Sequence, residues 1–431
     1  MASTYLTRTP SSAGNTNIWT WSAWIKRSGI SSTQFLMGSS TSASDFEDIR
    51  IDSEDQINYV RYLTTKQWGY NTANRLRDTS GWYHLCINRS GTTMKCFING
   101  VLATKENETT STATGDFNTT DELRIGGRPD SSHTFDGLMS HVYFIDGTAY
   151  DADTFGATDA TTGEWKINTA PSVTYGTNGF LILKDGNTIT DQSSNSNNFT
   201  LGAGTLTNTE DCPSDVFATC NPLVRTASTP SFSQGNNTVS PSAVAYQNHF
   251  STIGMTGGGK YYWEMKVNGS PNSANYHGVS SDIELNNLQT VSNVVGYTST
   301  SYVLVASSGN KYNDENSTSY GSALASGDIM MGALDLDNGK IWFGKDGTWF
   351  DSGNPATGAN PAFSSISASN TYFPSGTVYN GGFTSINFNF GNGYFGTTAI
   401  SSEGTNASNI GKFEYDVPTG YTALSLKGIN S

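Results

Sequence analysis

The densest run of groups able to do chemistry is Asp45-Phe46-Glu47-Asp48-Ile49-Arg50-Ile51-Asp52-Ser53-Glu54-Asp55. Two carboxylates about 5–10 Å apart across a cleft can hydrolyse a glycosidic bond, one as acid and one as base or nucleophile. Strand alternation divides this run, placing Glu47, Ile49 and Ile51 on one face and Asp48, Arg50 and Asp52 on the other. It therefore reads as an amphipathic strand with a charged face. Asp335-Leu336-Asp337-Asn338-Gly339 suggests a calcium loop, which places oxygen ligands at its odd early positions and a Glu at its end. Here Gly339 and Asp346 stand where a ligand and that Glu belong, so the stretch reads as a hairpin turn. Asp191, Asn195 and Asn197 offer oxygens to a cation, calcium first. The same residue types also build Asx-turns.

Other chemistry finds little support. No H-E-x-x-H, G-x-S-x-G or phosphate-cradling glycine loop is present. The five histidines are scattered. His84 and His141 fall in expected strands, His277 just before one, and His133 and His249 in expected loops. Cys86 and Cys96 flank a turn symmetrically and could face each other across a hairpin, while Cys212 and Cys220 bracket a short loop. Neither pair has zinc-ligand spacing, and a chain made in a reducing cytosol keeps its thiols free.

The elements that must position these groups are strands. The chain has 431 residues, enough for two or three domains, with 46 glycines, 12% aromatic and only 14% charged residues. Charged residues usually make up about a quarter. No long stretch carries a helical period, and short apolar runs alternate with polar turns. The formal charge of −14 opposes binding to nucleic acid or an anionic membrane. No apolar run is long enough for a membrane span, and the N-terminus lacks the apolar core of an export signal. Asn99-Gly100, Asn338-Gly339 and Asp346-Gly347 are two-residue hairpin signals, because a type I′ turn needs positive φ at both central positions. Before Asn338-Gly339, Ile329 to Leu336 carries apolar residues on both strand parities, as a strand covered on both faces would.

Two resemblances emerge from the order of these strands. Tyr261-Tyr262-Trp263-Glu264-Met265-Lys266-Val267, His277-Gly278-Val279, Val295-Gly296-Tyr297, Gly327-Asp328 with ALDLDNGKIWF and KDG, then Ile386-Asn387-Phe388-Asn389-Phe390-Gly391 together resemble a SPRY domain. It covers Arg225 to the C-terminus, and it implies a β-sandwich whose rim loops bind partners without catalysis. IWTWSAWIKRS, GWYHLCIN, MKCFING, LRIGG and FDGLMSHVYF, in that order, resemble a laminin-G or concanavalin-like jelly roll. Members of that class bind sugars, some through rim calcium, or build interfaces. Enzymes of the class carry alternating carboxylates as E-x-D-x-x-E on one strand, which the Asp45 run does not reproduce. TYLTRTPSSAGN, FGATDATTGEWK, YGTNGFLILK and CPSDVFATCNPL, with the SPRY-like end, resemble structural proteins of tailed phages, marine ones especially.

The expectation is an all-β chain of two antiparallel β-sandwich domains. Residues 1–165 form the jelly roll, 166–224 a β/loop connector that can add a strand to the first domain, and 225–431 the SPRY-like sandwich. The phage resemblance implies a non-enzymatic virion surface protein, assembled in the bacterial cytoplasm. It would serve as a capsid decoration, head fibre or tail-fibre component. Its partners would be other virion proteins, a host surface glycan or protein, and further copies of itself. A lectin-like adhesin is the alternative, and a concanavalin-fold glycosidase a remoter one. No cofactor is expected beyond the calcium weighed at Asp191. Tyr276, Tyr302, Tyr312 and Tyr320 are the expected rim ligand residues, because tyrosine supplies contact area and a hydroxyl at modest entropic cost.

Overall fold

The computed structural model describes residues 4–184, 188–289, 292–381 and 383–431. The chain divides into two compact units, Met1–Asn208 and Thr209–Ser431. Both are antiparallel β-sandwiches, as the alternation and turn signals predict.

In the first unit one sheet has eight strands. Their order is Lys105–Thr109, Thr65–Arg75, Gln56–Leu63, Asp45–Ile51, Gln34–Ser42, Leu123–Ile125, Tyr5–Arg8 and Thr200–Ala203. The facing sheet runs Phe180–Ile182, Gly137–Asp146, Ile18–Arg27, Tyr83–Ser90, Thr93–Ile98 and Val101–Leu102. Successive side chains of a strand point to opposite faces. Trp19, Trp21, Ala23 and Ile25 accordingly enter one core with Ile49, Ile51, Tyr59 and Trp68. On the outer face, Cys86, Phe97, Tyr143 and Leu181 form a second apolar cluster with Phe155. The middle of this sheet is thus buried on both sides. The 166–224 stretch contributes two strands here, Phe180–Ile182 against Gly137–Asp146 and Thr200–Ala203 against Tyr5–Arg8. Its last part belongs to the second unit, where Phe217 bridges to Ser425.

The second unit pairs an eight-stranded sheet, built around Lys260–Gly269, Ile329–Asp335 and Phe383–Asn389, with a six-stranded one. Every residue of Ile329–Asp335 is buried. Met330 and Leu334 face the inter-sheet core. Met331 and Ala333 pack outward with Trp342, Phe413 and Tyr421. The two-sided apolar pattern is therefore a strand covered on both faces.

Two of the three expected hairpin turns form as written. Asn99 and Gly100 have φ of 48° and 79° and join Ile98 to Val101, and Asp346 and Gly347 have φ of 48° and 80° and join Lys345 to Thr348. Asn338-Gly339 differs. The strands close at Asp335 and Lys340, leaving a four-residue loop in which only Gly339 has positive φ. The reason is local: Asp335 accepts hydrogen bonds from the Asn338 backbone N–H (3.0 Å) and side-chain amide (2.9 Å), holding a longer turn.

The cysteine geometry also departs from the symmetrical reading. Cys86 lies opposite Phe97 and Cys96 opposite Ile87, so the two thiols point to opposite faces and cannot meet. All four cysteines are free. Among the described residues no helix is long and apolar enough to cross a membrane.

Candidate functional site

The acidic run of the first unit is built into the sheet. Asp45 pairs with Arg61 at 2.7 Å, Glu54 with Arg75 at 2.8 Å, and Asp55 with Arg27 and Arg77, each at 3.0 Å. Asp52 accepts from the Glu54 and Gln56 backbones and from Asn71. Glu47 accepts from the Tyr59 hydroxyl (2.6 Å) and from the backbone N–H groups of Asp116 (2.5 Å) and Phe117 (2.8 Å). The face carrying Asp48 was expected to be a charged outer surface, yet Asp48 is fully buried. Arg128 explains the difference. Its guanidinium lies 3.8 Å from the Phe46 ring centroid and 2.8 Å from Asp48, and its stem crosses Gly38, where a Cβ would come within 2.8 Å of it. Burial pushes the Asp48 carboxyl up to about 6 in spite of Arg50 and Arg128. Each carboxylate of this run thus has a structural partner.

The second unit carries an open cleft of about 770 Å³. Its rim is Gly257-Gly258-Gly259, with φ of 75°, 143° and 90°, a backbone path that only glycine follows without strain. Gly259 N–H donates to Asp337 (2.8 Å), and the Tyr261 hydroxyl donates to the Gly258 carbonyl (3.2 Å). Lys260 pairs with Asp335 at 3.1 Å, its ammonium 5.9 Å from the Tyr421 ring. Asp337 is the only carboxylate side chain among the lining residues, beside the hydroxyls of Ser408 and Thr422. The arrangement offers hydrogen-bond donors and acceptors and one ammonium. It offers no facing pair of acids.

The four tyrosines named from the sequence separate into two pairs. Tyr276 and Tyr312 lie together, ring centroids 5.1 Å apart, half-buried on the outer face of the six-stranded sheet near Leu285, Leu288 and Val295. Tyr302 packs on Phe363 at 5.3 Å, and Tyr320, only 8% exposed, packs on Phe350 at 6.0 Å. Both belong to the inter-sheet core side. None of the four lines the cleft.

Residues 2–154 match the concanavalin A-like lectin/glucanases superfamily, and residues 260–393 match the SPRY domain. The chain joins a concanavalin A-like domain to a SPRY domain. Matches among solved structures include the SPRY domain of human HERC1, 20% identical, covering 35% of this chain and 87% of that one, with a TM-score of 0.28. A SAP-like pentraxin from Limulus polyphemus is 14% identical over 43% of this chain and 91% of its own, with a TM-score of 0.29. Domain 4 of the GH43 arabinanase AbnA from Geobacillus stearothermophilus, in complex with arabinotriose, is 15% identical over 32% and 64%, with a TM-score of 0.27. No curated protein matches the chain.

In the unit holding the concanavalin A-like domain, Asp191, Asn195 and Asn197 come together around a turn. The Asp191 carboxylate accepts from the Leu181, Ser193 and Asn197 backbones and from the Ser193 hydroxyl. Asn195 and Asn197 point their amide nitrogens at the carbonyls of 176, 177 and 179. No group of three or more His, Cys, Asp or Glu suited to a metal occurs among the described residues.

The structure gives the histidines partners and places that the sequence did not show. His84 accepts at Nδ1 from the Trp165 indole N–H (3.0 Å), so its proton sits on Nε2, 2.9 Å from the Ser22 hydroxyl. In the SPRY-bearing unit, His249 was expected in a loop and instead lies in the edge strand Gln247–Phe250. The glycine rim of the cleft was visible as three glycines directly before the YYWEM strand, but only the fold shows what they border.

Proposed function

We propose that this chain is a non-enzymatic structural protein of a virion surface, a capsid decoration or fibre component, whose two sandwiches hold other virion proteins or a host surface ligand. The observation that carries the binding half of this reading is the fate of the acidic run. Its carboxylates are tied to arginines, backbone N–H groups and a tyrosine, and the SPRY-side cleft has no second acid to face Asp337. Rigid sheets with polar rims support recognition without bond breaking. The virion half is supported by the phage-like order of the N-terminal, connector and SPRY segments.

A lectin-like reading is favoured by the cleft itself. Backbone amides, hydroxyls, Lys260 and Asp337 together suit a hydroxyl-rich ligand such as a glycan. Mass spectrometry of purified particles tests virion membership, where finding the chain only in the soluble lysate would overturn it. A glycan array tests the lectin reading, with Lys260→Ala and Asp337→Ala expected to reduce retention at least tenfold. Release of reducing sugar from a polysaccharide, lost on changing one carboxylate, would replace both readings with an enzymatic one.

A further inference from the structure

The six-stranded sheet of the SPRY-bearing unit holds a pair of histidines that nothing above employs. His249 stands on the edge strand Gln247–Phe250 and His277 on Tyr276–Ser281, and both are register partners of Gly376 on the strand between them. Their ring centroids are 6.0 Å apart, and each residue is 1% exposed. Phe388 lies 5.3 Å from His249, and Phe383 6.3 Å from His277. None of the four ring nitrogens has a hydrogen-bond partner. Buried polar atoms are normally satisfied, and four orphans in one place call for an occupant.

Gly376 marks where that occupant sits. A Cβ built there would fall within 2.6 Å of both Nδ1 of His277 and Nε2 of His249. Those two nitrogens therefore flank the Gly376 Cα so closely that no side chain fits there, which brings them within reach of one shared ion. We infer that His249 Nε2 and His277 Nδ1 form a two-coordinate site for a monovalent copper-type cation, seated over Gly376. Imidazole nitrogen suits copper. Monovalent copper is content with two nitrogens in a near-linear arrangement, which a sheet with one histidine on either side of a glycine supplies. A divalent ion would need more ligands and a counter-charge, and neither ring has a carboxylate as a hydrogen-bond or ion-pair partner. The bound ion would fasten the edge strand to its second neighbour, and opening of that edge gives it a way in.

The test uses the full chain with Cys212→Ser, which removes the half-exposed thiol, and silver(I) as a redox-inert probe. Thermal unfolding of the SPRY-bearing unit should move up by about 5 °C and saturate at one ion per chain. His249→Phe and His277→Phe should each lose that shift. No rise, a rise kept in both variants, or an equal rise with zinc would overturn the assignment. X-ray absorption on the silver-loaded parent keeps the test independent of how the variants fold. Two nitrogen neighbours support the site, and sulfur neighbours refute it.

Discussion

Glu47 and Glu264 do the same job in different units. Each is fully buried on a strand, and each accepts from one tyrosine hydroxyl and two successive backbone N–H groups of a crossing loop. For Glu264 the donors are Tyr262 (2.9 Å), Glu414 N–H (2.9 Å) and Tyr415 N–H (2.8 Å), with Asn389 at 3.2 Å. Burial raises both carboxyls, Glu264 to about 7. Glu264→Gln would turn an amide NH₂ toward groups that are themselves donors. Urea denaturation should show a loss of about 2–3 kcal/mol, the usual cost of an unsatisfied buried group. His84 supplies a pH dependence of known sign. Burial lowers it to about 3, against an ordinary 6.5. Between those values the unfolded chain holds the proton and the folded one does not, so stability falls as pH drops below 6.5. At pH 5 the loss is about 2 kcal/mol relative to neutral pH. The slope of stability against pH should flatten in His84→Asn. The sequence named all three residues but not these roles, because a Glu or His on a strand face looks alike whether its far side meets solvent or a distant loop.

At the scale of the element, turn chemistry was legible and its reach was not. Asn99-Gly100 and Asp346-Gly347 were readable because two positive φ angles are a local demand. Asn338-Gly339 was misjudged because a side chain outside the dipeptide, Asp335, sets the loop length. The Asn99-Gly100 hairpin also has a remote consequence. Gly100 lies against the Trp165 ring, with which any added Cβ would collide. Trp165 in turn donates to His84. Gly100→Ala should cost about 1–3 kcal/mol from backbone strain and the displaced indole. The melting temperature of the first unit should fall, and the tryptophan emission should move to the red.

For the whole molecule, each unit has its own core and should fold when expressed alone. A 1–208 fragment should melt cooperatively by circular dichroism. A 1–165 fragment lacks the strands Phe180–Ile182 and Thr200–Ala203, which leaves Phe144 and Leu6 without their neighbours. It should be insoluble or bind a hydrophobic dye. The all-β class could be read from alternating patterns and turn spacing, and the two-domain order from the motifs that resemble known families. The destination of residues 166–224 could not, since which sheet edge a short strand joins is decided by partners far away in the chain.

The Glu264 clamp bears on how this protein can be engineered. Residues 414 and 415 close over the buried Glu264 carboxyl, so a chain cut at Ser401 would strip that group of two of its donors rather than merely shorten a loop. Cargo for display belongs at an open hairpin tip such as Gly91-Thr92, where a side chain added at the glycine would meet nothing, and the closing tail should be left whole.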